Sequence, residues 1–207
     1  MKQVVIIGGG FAGALSSKEL EKHFNVTIID TKPYFEFTPS ILKTIVNPSH
    51  INKIQSLHSN YLTSVNIIID DVISITDTTV NTKSNAFKFD YLIISSGSKY
   101  HTPIKEEGLV IATRITELKS YAKKLKNSNN LLIIGGGIVG VELAAEIICK
   151  YPHKNLTLVH SKERLIEKNC PKVSCYVLNF LQELGVNFIL NKRVTYAKKV
   201  YLLDKKK

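Results

Sequence analysis

Val4-Val5-Ile6-Ile7-Gly8-Gly9-Gly10-Phe11-Ala12-Gly13 and Leu131-Leu132-Ile133-Ile134-Gly135-Gly136-Gly137-Ile138-Val139-Gly140 repeat one pattern. Each is an apolar, strand-length run that enters G-x-G-x-x-G and continues with helical periodicity. A second apolar run follows each, Val26-Thr27-Ile28-Ile29 in the first copy and Leu156-Thr157-Leu158-Val159 in the second. Strand, glycine loop, helix and parallel strand make a β-α-β unit, and two glycine loops in that context are far more specific than one alone. Gly8 and Gly135 serve the tight turn out of the strand, while Gly10 and Gly137 let a pyrophosphate approach the backbone. Gly13 and Gly140 let helix and strand pack closely. The pyrophosphate then meets free N–H groups at a helix N-terminus. Two such sites in one chain point to two dinucleotide cofactors that exchange electrons.

The copies differ at the end of the second strand. Asp30 stands there in the first, at the spacing of an acid that binds ribose hydroxyls. Aligning Val26–Asp30 with Leu156–His160 puts His160 in its place, followed by Ser161, Lys162 and Arg164. An acid would repel a 2′-phosphate, whereas this stretch offers cations and a hydroxyl. Two readings stand: a second site that tolerates NADPH, or an ordinary surface histidine after a strand.

Composition fits a globular protein of one large or two small domains, with 207 residues and 44% hydrophobic content. No apolar run reaches membrane-span length, and the first strand starts too near Met1 for a leader, so a cytoplasmic location is expected. The formal charge of +11 is lopsided: residues 1–104 carry 9 Lys+Arg against 8 Asp+Glu, residues 105–207 carry 19 against 9. Such asymmetry describes either a solvated lysine surface or a partner bearing negative charge. Lys192-Arg193, Tyr196, Lys198-Lys199 and Tyr201 interleave aromatics with cations, which gives nucleic acid as an alternative partner. Cys149, Cys170 and Cys175 form neither a disulfide framework nor a metal-ligand pattern. Lys32–Pro39, after the first unit, holds no cysteine, which argues against a dithiol mechanism.

Further elements follow from periodicity. Ser40–Val46 and Ile51–Leu62 are expected as helices. Asn66–Asp70, Val72–Thr76, Thr79–Thr82 and Phe87–Phe89 are expected as strands of an antiparallel excursion. Asp90–Ser98 reads as a buried strand, Lys99–Gly108 as a linker, and a helix is expected from Thr116. Pro171–Leu184 reads as an amphipathic helix closed by Gly185, Val186–Leu190 as a strand, and Val194–Leu203 as a hairpin or frayed edge.

Taken together, Gly8–Gly13, Asp30, Tyr34-Phe35-Glu36-Phe37-Thr38-Pro39, Ser95-Ser96-Gly97 and Gly135–Glu142 resemble the apoptosis-inducing-factor-like flavoproteins. These group with type-II NADH dehydrogenases and ferroptosis-suppressor quinone reductases. The resemblance covers Lys2 to about Leu190. It implies an α/β fold of two Rossmann-like domains with parallel sheets, the second inserted in the first. The expected division is an FAD-binding domain over 1–104 and an NAD(P)H-binding domain over 105–207.

By motif position, Gly8, Gly9, Gly10, Phe11, Ala12 and Gly13 would hold the FAD pyrophosphate and Asp30 its adenosine ribose. Lys43 would supply a basic contact and the backbone at Val72 would hold adenine. Ser96 and Gly97 would form the hinge segment, Ser96 keeping the family's hydroxyl. Gly135, Gly137 and Gly140, with His160 and Arg164, would receive NAD(P)H. Glu142 matches an acid near the flavin–nicotinamide contact, against the plainer reading of a helix N-terminal acid stabilised by the macrodipole. The implied activity is FAD-dependent oxidation of NAD(P)H with a quinone-like small acceptor. Relatives run on past this length, so the resemblance also implies a truncated or half-complete protein, either weakly active or an inactive remnant.

Overall fold

The computed structural model describes residues 1–98, 111–197 and 200–203. It forms two compact units, Met1–Ile41 with Ser49–Leu118, and Leu42–Pro48 with Lys119–Lys207.

In the first unit, β1 (Gln3–Ile7) leads through the glycine loop into α1 (Phe11–Leu20) and back into β2 (Asn25–Asp30). The chain continues as β3 (Tyr34–Glu36), passes through α2 (Lys43–Val46) of the second unit, and returns as α3 (Ile51–Ile54), β4 (Gln55–Leu57) and β5 (Val65–Ile69). Then come β6 (Val72–Ile75), β7 (Thr79–Thr82), β8 (Ala86–Lys88) and β9 (Tyr91–Ile94). The main sheet runs β5-β2-β1-β9, all parallel, with Ile7 registered between Ile29 and Ile94. Alternation along β1 sends Val4 and Ile6 into one core with Val26, Ile28 and Leu62. Val5 and Ile7 go to the opposite face with Ile29 and Val80. Burial on both faces is why β1 and β2 read as continuous apolar runs. The second face is covered by the antiparallel β6-β7-β8 sheet; of the four strands expected in that excursion, Asn66–Asp70 lies instead in the main sheet, where β5 pairs parallel with β2.

One expected helix is mostly absent. Of Ile51–Leu62, only Ile51–Ile54 is α-helical, with a 3-10 turn at His58–Asn60; Gln55 is extended (φ −113°, ψ 140°), and Gln55–Leu57 pairs antiparallel with Tyr34–Glu36. Gln55 Nε2 donates to Glu36 Oε2 at 2.8 Å across that pair, so a distant strand overrides the local apolar spacing.

The second unit contains α4 from Lys119 onward; the whole helix spans Ile111–Asn127 and begins before the expected Thr116. It is followed by β10 (Asn130–Ile134), α5 (Ile138–Lys150), β11 (Asn155–Val159), α6 (Pro171–Glu183), β12 (Asn187–Ile189) and the hairpin β13 (Val194–Ala197)–β14 (Val200–Leu203). β10-β11-β12 form a parallel sheet around Ile133, Leu156 and Leu158. Lys154 is buried, yet its ammonium donates to the carbonyls of Lys126 (3.0 Å) and Ser128 (2.6 Å). It thereby places a cation at the carbonyl end of α4, the favourable sense of the helix dipole. Gly185, at φ +89°, closes α6. The linker expected over Lys99–Gly108 lies wholly outside the described residues, and Lys198 and Lys199 of the basic patch lie outside them as well.

Candidate functional site

The first glycine loop rims a cleft of about 870 Å³ whose lining includes Gly8–Ala12, Asp30, Lys32, Thr38, Ser96 and Gly97. Each glycine of the motif meets a different constraint. Gly8 sits at φ +96°, and a Cβ there would press on the Ser95 carbonyl. At Gly13 a Cβ would overlap the Gly8 carbonyl oxygen and approach Ser95 Oγ at 2.7 Å, so this glycine lets α1 close onto the strand end. Gly10 differs: it has an ordinary φ of −74°, and its Cβ would meet nothing within 4 Å. Neither torsion nor protein packing requires a glycine there. The space beside it is open.

The second loop repeats this. Gly135 sits at φ +110°, a Cβ on Gly140 would overlap the Gly135 carbonyl oxygen, and Gly137 (φ −75°) faces open space. Both loops thus fit a pyrophosphate at a helix N-terminus.

Asp30 lies at the C-terminal end of β2. Its Oδ2 accepts the Gly9 N–H at 2.5 Å and its Oδ1 accepts the Lys32 N–H at 3.0 Å. Burial pushes this carboxyl up, but the neighbouring His58 and the N–H groups of Lys32 and Gly9 outweigh it, holding Asp30 below the usual carboxylate range. A lowered folded-state value means that Asp30 stabilises the fold above its unfolded pKa. That contribution is lost as pH falls through the folded value. Acid melts should therefore show Asp30→Asn converging on the unsubstituted chain at low pH, with the gap open at neutral pH; a gap of constant size would contradict this.

The second unit makes the same bond with different chemistry. Gly136 N–H donates to His160 Nδ1 at 3.0 Å. A backbone N–H can only donate, so Nδ1 bears the lone pair and the ring is the neutral tautomer with its proton on Nε2. That Nε2 and Nη1 of Arg164 are buried without a hydrogen-bond partner among the described residues. The segment carrying Arg164 is fastened to the glycine loop, since Ile166 N–H donates to the Gly136 carbonyl at 2.7 Å. Ile166 does so at φ +43°, a strained conformation for a β-branched residue.

The remaining expected residues are dispersed. Phe11 is half exposed and makes edge contacts with Phe35 and Phe37, at centroid distances of 5.1 and 5.6 Å. Lys43 is exposed on α2, in the second unit. Val72 starts β6 and packs under the sheet, outside the cleft lining. Glu142 is exposed on α5 beyond its first turn, where the macrodipole has little hold, and it makes no hydrogen bond or ion pair among the described residues.

Two residues of the first site escaped the sequence reading. Ser95, rather than Ser96, ties the hinge segment to the loop: its Oγ donates to the carbonyls of Ile7 and Gly8, 2.9 Å from each. The β1–β9 register decides which of the two adjacent hydroxyls turns inward. His58 is completely buried beside Gly9 and Asp30, brought there by the β3–β4 pairing.

Two glycine loops on two parallel sheets, each tied to the residue ending its second strand, define a protein built to hold two dinucleotides. The model of the pyridine nucleotide-disulphide oxidoreductase family matches residues 2–204, and the chain belongs to that family. It is 32% identical over 204 residues to apoptosis-inducing factor homolog B of Dictyostelium discoideum, an alignment covering 94% of this chain and 53% of that protein. It is 31% identical over 200 residues to ferroptosis suppressor protein 1 of Xenopus tropicalis, covering 93% and 53%. The fold is similar to that of NDH2 from Plasmodium falciparum, solved in complex with NADH, with a TM-score of 0.74 at 19% identity over 96% of this chain and 49% of that one. The chain thus spans about half the length of the curated relatives it matches. No described helix is long and apolar enough to cross a membrane, and no described His, Cys, Asp or Glu cluster could hold a metal ion.

Proposed function

We propose that the chain is the two-nucleotide portion of an FAD-dependent NAD(P)H oxidoreductase whose electrons pass to a quinone-like small acceptor. The observation that carries this is the pair Gly10 and Gly137, glycines that neither torsion nor packing calls for and that a closely bound ligand would explain. When bound, FAD supplies a two-electron acceptor for the hydride of reduced nicotinamide. The protein binds and orients. Gly8–Gly13 shape the loop, the first N–H groups of α1 receive one pyrophosphate and Asp30 receives ribose hydroxyls; Gly135–Gly140 serve the second nucleotide, and Glu142 orients its nicotinamide. The family name refers to disulphides, but Lys32–Pro39 holds no cysteine pair, which favours an acceptor reduced by the flavin directly. The resemblance to the ferroptosis-suppressor quinone reductases, with 31% identity to ferroptosis suppressor protein 1, supports the quinone-like class.

The test is a visible spectrum of the chain with FAD, before and after anaerobic NADPH. A bound-flavin spectrum that NADPH bleaches is the expected result; a flavin spectrum identical to free FAD overturns the proposal.

Within the second site, His160 replaces an acceptor-only carboxylate with an imidazole that still has an N–H to give, beside an arginine fixed near the same loop. Donors without acceptors favour an anion, which supports use of NADPH. Arg164→Glu should weaken binding of 2′,5′-ADP by about tenfold or more while changing that of ADP-ribose little, measured by calorimetry. Equal losses for both would remove the case for 2′-phosphate recognition.

A further inference from the structure

The two copies of the repeated unit can be laid residue against residue, because they share one register. Gln3–Gly8 aligns with Asn130–Gly135, and the pairing of Gln3 with Asn25 recurs as Asn130 with Asn155. Their neighbours do not recur. β1 lies between β2 and β9, whereas β10 has β11 on one side and, among the described residues, no strand on the other. Val5 and Ile7 are 2% and 9% exposed, packed with Leu92 of β9 and Val80 of β7. Their counterparts Leu132 and Ile134 are 52% and 48% exposed. An unbroken apolar run such as Leu131–Ile134 is the composition of a strand covered on all sides. It holds no charge and no proline, the residues that usually guard a free edge.

The glycine loops differ in the same sense. In the first, the residue after β9 locks the loop: Ser95 N–H donates to the Ile7 carbonyl at 2.8 Å, and Ser95 Oγ donates to the carbonyls of Ile7 and Gly8. A Cβ on Gly8 would press on the Ser95 carbonyl, and one on Gly13 would crowd Ser95 Oγ. In the second loop, a Cβ on Gly135 meets nothing within 4 Å among the described residues, and one on Gly140 meets only Gly135 and Ile133. A single added strand would account for the open face, the bare edge and the space beside Gly135.

We propose that the free edge of β10 is a docking site for a β-strand supplied by polypeptide corresponding to the part of the relatives that this chain does not span. This chain spans 53% of each of two curated relatives, so the family holds polypeptide enough to furnish such a strand. The first unit specifies its chemistry. Like Tyr91–Ile94, it has four consecutive apolar residues and runs parallel to its neighbour. A small hydroxyl-bearing residue follows and donates to the carbonyls of Ile134 and Gly135, fastening the second glycine loop as Ser95 fastens the first. Main-chain hydrogen bonds give the affinity, and the apolar face of Leu132 and Ile134 gives the selectivity.

The probe is a synthetic peptide of Phe89–Ser96, the strand that fills the equivalent place in the first unit, with lysines at its ends for solubility. It is added to the full chain and read by amide hydrogen exchange. The expected result is saturable slowing along β10, on the order of tenfold at Ile134, whose counterpart Ile7 faces β9. A peptide carrying Ile93→Pro, which lacks a ladder N–H, should give none. Leu132→Lys in the chain should abolish the slowing, whereas Tyr176→Lys, at a 69% exposed position on α6 of the same unit, should leave it intact. No slowing at β10, or slowing that survives Ile93→Pro or Leu132→Lys, overturns the proposal. Slowing that grows with chain concentration in the absence of peptide also overturns it, since a second copy then occupies the edge.

Discussion

Gly10→Val abolishes FAD binding and leaves the fold standing. The two halves of this expectation have separate causes. A Cβ at Gly10 meets no protein atom within 4 Å and the backbone there is extended, at φ −74° and ψ −161°, which suits valine. The change in unfolding free energy should therefore stay within about 1 kcal/mol, as for substitutions that touch nothing. The branched side chain instead occupies the approach of the pyrophosphate to the N–H groups of α1. A loss of roughly a hundredfold or more in FAD affinity is expected, about 3 kcal/mol in binding terms. Fluorescence titration and a thermal melt of the same preparation check both halves. Unchanged FAD affinity in a folded variant would sink the assignment of the first site.

Gly13→Ala has the opposite profile. Propensity alone predicts a gain, since alanine in a helix interior is worth about 1 kcal/mol over glycine. Sterics decide otherwise. The new Cβ would overlap the Gly8 carbonyl oxygen and crowd Ser95 Oγ, the two groups that lock α1, β1 and β9 together. Forcing them apart should cost on the order of 3 kcal/mol, the upper range of overpacking, and outweigh the propensity gain. Urea unfolding that shows Gly13→Ala as stable as the unsubstituted chain would contradict the close packing of helix on strand.

Much of this was legible in the sequence because the information is local. The glycine loops, their flanking strands and Asp30 lie within short windows, and each part implies the next. The three-stranded excursion over residues 72–88 was readable for the same reason, its strands separated by turn residues. What the sequence concealed depends on distant partners. Ile51–Leu62 has helical spacing, but Gln55–Leu57 is claimed by Tyr34–Glu36, and no local signal announces that pairing. His58 reaches Asp30 only through the same pairing. Between Ser95 and Ser96 the chemistry is identical, and the choice falls to the register of Ile94 on Ile7. α4 extends back to Ile111 because Ala112 and Arg114 continue a helix readily, while the pattern of apolar residues becomes clear only later.

The Gly9–Asp30 and Gly136–His160 bonds are one structural joint fitted with two different side chains. In each, the N–H of the middle loop glycine is captured by whatever ends the second strand, a carboxylate oxygen in one unit and an imidazole nitrogen in the other. Holding the loop asks only for a lone pair, which both residues possess. What remains of the side chain once that lone pair is spent differs in kind, a second acceptor oxygen in one unit and a ring N–H donor in the other, while the glycine loop and the strand that frame it keep the same form.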